Sequence, residues 1–137
     1  MNAHTSFLKD VFGFDGYRKG QEEIVVAVTA GADVLAIMPT GGGKSLCFQL
    51  PALCRDGLTV VISPLIALMR DQVNALRAIG VEAGTLSSGN TEEETEQVFE
   101  AIDDGRLKLL YIAPERLANY GTTLLLRRAN VSMIAVD

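Results

Sequence analysis

A lysine and a serine that follow three glycines are the residues of this chain best suited to chemistry. They close the stretch Met38-Pro39-Thr40-Gly41-Gly42-Gly43-Lys44-Ser45. Glycines let a backbone curl until successive N–H groups point into one concavity, which is an anion site. A helix beginning near Lys44 adds its unpaired N–H groups and the positive end of its dipole. Lys44 can then reach β- and γ-phosphates, and the Ser45 hydroxyl can ligate Mg²⁺. The general form G-x-x-x-x-G-K-[ST] asks for Gly where Met38 stands, but the form x-x-T-G-x-G-K-[ST] is met. Two further places carry chemistry. Asp137 closes an apolar run from Val131 to Val136, the arrangement in which a carboxylate holds Mg²⁺. Phe12-Gly13-Phe14-Asp15-Gly16-Tyr17-Arg18-Lys19-Gly20-Gln21 puts aromatics, an Arg and a Gln in one turn ahead of a helix. A Gln amide can donate to and accept from an adenine edge, and an aromatic can stack on the ring. A loop anchored in the core by its aromatics is the competing reading of that turn.

The elements that must position these residues alternate. Apolar periodicity predicts helices over 4–12, 20–29, 44–54, 64–79, 91–104 and 122–128, with a short one from Pro114. Apolar or β-branched runs predict strands over 34–38, 58–63, 81–86, 107–113 and 131–137. Thr91 and Glu94 fit a capping box. Pro64 is expected to open its helix. Strands alternating with helices mean an α/β fold with a largely parallel sheet. Arg70, Asp71 and Arg77 fall on faces other than the apolar one and read as solvated.

The chain has 137 residues, 48% of them hydrophobic, enough for one globular domain. Its net charge of −5 is unevenly spread: residues 91–105 hold seven acids and no Lys or Arg. The remainder has 12 basic residues against 10 acids, which is compatible with a phosphate-facing surface. No apolar run is long enough to span a bilayer, so a cytoplasmic protein is expected. Cys47 and Cys54 fall on one helix face about 10 Å apart, too far for a disulfide, and read as apolar packing. His4, near a terminus, reads as solvated.

Taken together, the motifs closely resemble the N-terminal part of the RecQ family of superfamily 2 DNA helicases. Residues 12–21 resemble motif 0, F-G-[FY]-x-x-[FY]-R-x-G-Q, and MPTGGGKS at 38–45 resembles motif I. VISPLIALMRDQV at 61–73 resembles motif Ia and YIAPERL at 111–117 motif Ib. Ala135-Val136-Asp137 resembles the opening of motif II. The resemblance implies a RecA-like P-loop NTPase lobe, a three-layer sandwich on a mostly parallel sheet. It implies an ATP-driven 3′-to-5′ DNA helicase of recombination and repair. ATP and Mg²⁺ are the implied cofactors, and single-stranded and duplex DNA the implied partners. By the same resemblance Phe14 stacks on adenine, and Arg18 and Gln21 contact the nucleotide, Gln21 at the adenine edge. Thr40, Gly41, Gly42, Gly43, Lys44 and Ser45 hold the phosphates. Lys44 and Asp137 are catalytic, and Ser45 and Asp137 carry the metal. Pro64, Leu65, Arg70, Glu115, Arg116 and Leu117 lie along the DNA path.

The chain stops at Asp137, before the family's water-activating Glu and its second lobe. Residues 1–137 are therefore expected to form a partial lobe with neither hydrolysis nor unwinding of its own. A generic P-loop ATP-binding module or phosphotransferase is the alternative, and Gln21 discriminates, because only an adenine-reading Gln implies base selectivity. An inert interaction fragment is the third reading. The family sheet places a later strand between those at 34–38 and 131–137. Its slot is expected either to stay open with the last strand displaced, or to close by pairing those two strands.

Overall fold

A computed structural model describes residues 3–39 and 43–137, so Thr40, Gly41 and Gly42 lie outside the described residues. The chain divides into two compact units, Met1–Asp56 and Gly57–Asp137.

The first unit holds three helices, α1 (Ala3–Asp10), α2 (Gln21–Thr29) and α3 (Leu46–Cys54). They pack around Leu8, Val25, Leu46 and Leu50, with Phe7, Phe12, Tyr17 and Cys54 at the margin. Phe12 and Tyr17 thus anchor the turn between α1 and α2. Arg55 fastens the far end, its Nη1 donating to the Val28 carbonyl at 2.9 Å. His4 departs from the solvated residue expected. Its Nδ1 lies 2.7 Å from the Tyr17 hydroxyl, with the rings 5.8 Å apart. Burial, then the charges of Glu22 and Cys54, raises the Tyr17 pKa. Both cysteines are free thiols, Cys47 buried with its Sγ 3.8 Å from Met38 Sδ. Burial also pushes the Cys47 thiol up, away from thiolate reactivity.

The segment 34–38 corrects an expectation. It forms no strand, and Leu35 and Ile37 are 90% and 92% exposed. An apolar run becomes a strand only when a neighbour takes up its N–H and C=O groups. No ladder to 34–38 exists among the described residues.

The second unit is a four-stranded, wholly parallel sheet: β1 (Leu58–Ile62), β2 (Ala83–Leu86), β3 (Leu109–Ile112) and β4 (Val131–Val136), in the order β2-β3-β1-β4. Around it run α4 (Ile66–Ala78), α5 (Glu92–Asp103), a 3₁₀ turn over Pro114–Ala118 and α6 (Tyr120–Arg128). Side chains alternate across a strand, and β3 shows it. Leu110 and Ile112 join Val98, Ala101 and Ile102 of α5 and Leu125 of α6 in one core. Tyr111, between them, donates its hydroxyl to Gln72 Oε1 of α4 at 2.8 Å. Helices therefore cover both faces, giving the three layers expected.

The last strand is neither displaced nor paired with 34–38, which corrects both of those expectations, while the unpaired apolar edges that an open slot implies are present among the described residues. β4 pairs with β1 along its length, with one irregularity at Leu58/Thr59, and the Asp137 N–H extends the ladder to the Ile62 carbonyl at 3.0 Å. Its other side carries no strand among the described residues, and Ile134 and Val136 are 62% and 80% exposed.

Helix starts are local chemistry. The Thr91–Glu94 capping box is present, with both bonds at 3.1 Å. The Thr91 backbone N–H, then Arg70, holds the Glu94 carboxyl below the usual range. α4 begins at Ile66 rather than Pro64 because Leu65 is extended. α6 begins at Tyr120, two residues earlier than expected, because the Asn119 side chain accepts the Thr122 N–H at 3.1 Å.

Candidate nucleotide-binding site

In the first unit Gln21 ties the turn at 12–21 to Gly43, the glycine that precedes Lys44. Gln21 stands at the first position of α2, is 3% exposed, and uses both ends of its amide. Its Oε1 accepts the Arg18 backbone N–H at 2.7 Å, and its Nε2 donates to the Gly43 carbonyl at 3.0 Å. The backbone adds a bond from Gln21 N–H to the Arg18 carbonyl at 3.0 Å. Each end of a primary amide keeps one further bonding site after such a bridge. The chemistry for an adenine edge therefore remains, but the first use of the side chain is to tie turn to loop. Gly43 has φ 76°, and a Cβ there would overlap Gln21 Nε2. Only glycine allows this approach.

Phe14, Arg18, Lys44 and Ser45 are the other described residues of the turn and loop that the sequence singled out. Phe14 is half exposed, with its backbone N–H bonded to the Leu8 carbonyl at 3.0 Å, so its ring is held yet open to a stacking partner. Arg18 and Lys44 are exposed. α3 opens directly behind the loop, with the Cys47 and Gln49 N–H groups donating to the carbonyls of Lys44 and Ser45 at 3.0 and 2.9 Å. The Ser45 side chain makes no capping bond to α3. A hydroxyl not used by the helix, and a carboxylate such as Asp137, are hard oxygen donors of the kind Mg²⁺ takes. Ser45 belongs to the first unit and Asp137 to the second. Among the described residues no group of three or more His, Cys, Asp or Glu gathers as a metal site.

In the second unit a parallel sheet brings all its strand exits to one edge, where α/β proteins bind ligands. The exits are Ser63-Pro64-Leu65 after β1, Ser87-Ser88-Gly89 after β2, Ala113-Pro114-Glu115 after β3, and Asp137 after β4. Pro64, Leu65 and Glu115 are exposed there and Arg116 half-buried. The Leu65 N–H is turned to Ser63 Oγ at 3.3 Å. Arg70 and Arg77, expected to be solvated, are both used internally. Arg77 Nε donates to the Ala83 carbonyl at 2.8 Å. Arg70 binds Glu94 and the Gly89 carbonyl. These contacts are between residues 6 to 24 apart in sequence, and periodicity along one helix cannot show them.

Residues 18–137 match the DEAD/DEAH box helicase family. The chain belongs to that family. Among curated relatives it is similar to the ATP-dependent DNA helicase RecQ of Haemophilus influenzae, 52% identical over 132 residues, 96% of this chain and 21% of that protein. To the ATP-dependent DNA helicase RecQ of Bacillus subtilis it is 43% identical over its whole length, which is 23% of that protein. The chain thus spans about a fifth of the length of these relatives. The fold is that of a hypothetical ATP-dependent RNA helicase from Sulfolobus tokodaii, with TM-score 0.76 and 18% identity over all of this chain and 41% of that one. The DUF1998 helicase MrfA bound to DNA is similar at TM-score 0.75 and 17% identity, over 99% of this chain and 20% of that one. A mostly parallel sheet between helices is what these helicase structures share with it. Among the described residues no helix is long and apolar enough to cross a membrane.

Proposed function

We propose that this DEAD/DEAH box chain is the nucleotide-binding part of a RecQ-type, ATP-dependent DNA helicase. On this reading the whole protein translocates 3′ to 5′ and acts in DNA recombination and repair in the cytoplasm or nucleoid. The observation that carries the nucleotide half is the Gln21 bridge between Arg18 and Gly43. It ties the turn at 12–21 to Gly43, which supports reading turn and loop as parts of one nucleotide site. Phe14 stacks on the base, while Arg18 and Gln21 contact the nucleotide. Thr40, Gly41, Gly42 and Gly43 supply backbone N–H groups, and Lys44 supplies a point charge to the terminal phosphates. Ser45 would be a ligand of Mg²⁺, which when bound neutralises charge on the phosphate oxygens, and Asp137 keeps the metal-binding role that its place at the end of an apolar strand implies. The strand exits around Pro64, Leu65, Glu115 and Arg116 form the edge that receives single-stranded DNA, with Arg70 just behind it.

Lys44→Ala tests the phosphate half. Calorimetric titration with ATP in Mg²⁺ should show affinity reduced by about 1.5–3 kcal/mol, the scale of a charge-assisted hydrogen bond. Unchanged affinity in a folded variant would remove Lys44, and the glycine loop with it, from the site.

A further inference from the structure

The loop between β2 and α5 has no role in the reading above, yet it is held from both sides. On one side Asn90 is bound back to the end of β2. Its Nδ2 donates to the Thr85 carbonyl at 2.7 Å, and its Oδ1 accepts the Thr85 hydroxyl at 3.0 Å. Inside the loop the Gly89 N–H donates to Ser87 Oγ at 3.2 Å. On the other side stands Arg70 of α4. Its Nη2 donates to the Gly89 carbonyl. Its Nη1 and Nη2 lie 3.3 and 3.5 Å from the two carboxylate oxygens of Glu94. Glu94 in turn caps α5 by accepting the Thr91 N–H. The approach is close: a Cβ on Gly89 would lie 3.4 Å from both Arg70 Nε and Ile66 Cγ2. Ser88 and Gly89, the tip of this loop, are exposed at the carboxyl edge of the sheet.

The charge arithmetic bears on what Arg70 does. A guanidinium that faces both oxygens of a carboxylate has its charge partly offset, and a phosphate would compete with Glu94 for it. Removing an acid beside a DNA-binding edge ordinarily strengthens DNA binding, because it removes a repulsion. The opposite holds if that acid is half of a clamp.

We propose that Arg70 is a positioning residue: with Glu94 it holds the Ser87–Asn90 loop in the shape in which the carboxyl edge receives a single strand, and it does not itself neutralise a phosphate. This rests on the DNA reading above. The planar fork is needed because one group must satisfy a carbonyl and a carboxylate at once, which an ammonium does poorly.

The test uses the 137-residue chain, a fluorescent oligo-dT, anisotropy at several salt concentrations, and amide exchange of residues 87–90. Glu94→Gln should weaken DNA binding about 3–10-fold although it removes a negative charge, the scale of losing one pre-ordered segment. Arg70→Lys should do the same although it keeps the positive charge. Exchange at Gly89 and Asn90 should quicken in both, and the salt slope should not change. A direct phosphate contact gives the reverse. Glu94→Gln would then tighten binding, Arg70→Lys would retain it, and Arg70→Gln would lower the slope by about 0.7. That pattern, or unchanged exchange in both variants, overturns the proposal. A wild-type chain that does not bind the oligonucleotide overturns the DNA reading itself, and with it any role of Arg70 in binding. The exchange data then show whether the clamp alone survives.

Discussion

Gly43→Ala is expected to cost about 2–5 kcal/mol of nucleotide affinity, from two separate penalties. A left-handed conformation costs an L-residue roughly 1–2 kcal/mol, and Gly43 has φ 76°. Forcing extra volume into a close contact costs about 1–3 kcal/mol more, and the added Cβ would overlap Gln21 Nε2. Relief of the second penalty displaces the Gln21 amide, which breaks its bond to the Gly43 carbonyl and loosens the turn from the loop. A double-mutant cycle separates the two. Gln21→Ala alone should weaken ATP binding, and the double variant should lose less than the two single losses combined, because the clash is gone. Strict additivity, measured by calorimetry, would mean that the bridge does not couple turn to loop.

Leu110→Ala is expected to lower the unfolding free energy by about 2–5 kcal/mol, the range for emptying a well-packed leucine site. Leu110 is fully buried on β3 and packs with Leu58, Val60, Leu86, Ile102 and Leu125. β3 is flanked on both sides, by β2 and β1, so the backbone has little room to close the void. A small domain has only about 5–15 kcal/mol in total, and the loss should appear as a large fall in the urea midpoint. A fall worth less than about 1 kcal/mol would mean that this core is loosely packed, against the density that such sites normally have.

The sheet strands and most helices were legible because their signals are local. β1 and β3 are short apolar runs of the type that a doubly covered strand requires, and the α5 cap is written within four residues. Asn119 as the cap of α6 was legible in principle, as an Asn three residues before Thr122, but sits directly after a Pro-led turn that masks it. What was not legible is long-range. The apolar run 34–38 has strand composition, and composition cannot say whether a neighbouring strand is there to pair with it. Gln21 reads as an adenine contact from its place in the turn. That its amide spans 22 residues to Gly43 depends on how α2 and α3 pack. Arg70 reads as a solvated charge from α4 alone, and as a DNA contact only through the family resemblance, because Glu94 belongs to another helix. His4 looked solvated only because its partner Tyr17 lies beyond the end of α1.

On the proposed reading the turn at 12–21 and the glycine loop form one site for an adenine nucleotide. Titrating the chain with ATP and with GTP, each in Mg²⁺, tests it most directly. Gln21 can complement the donor and acceptor pattern of adenine, whereas guanine presents an acceptor where adenine presents an amino group. ATP should bind at least about tenfold more tightly than GTP, a difference of roughly 1.4 kcal/mol, and Gln21→Ala should erase most of that preference. Equal affinity for the two nucleotides in the folded chain would contradict the account.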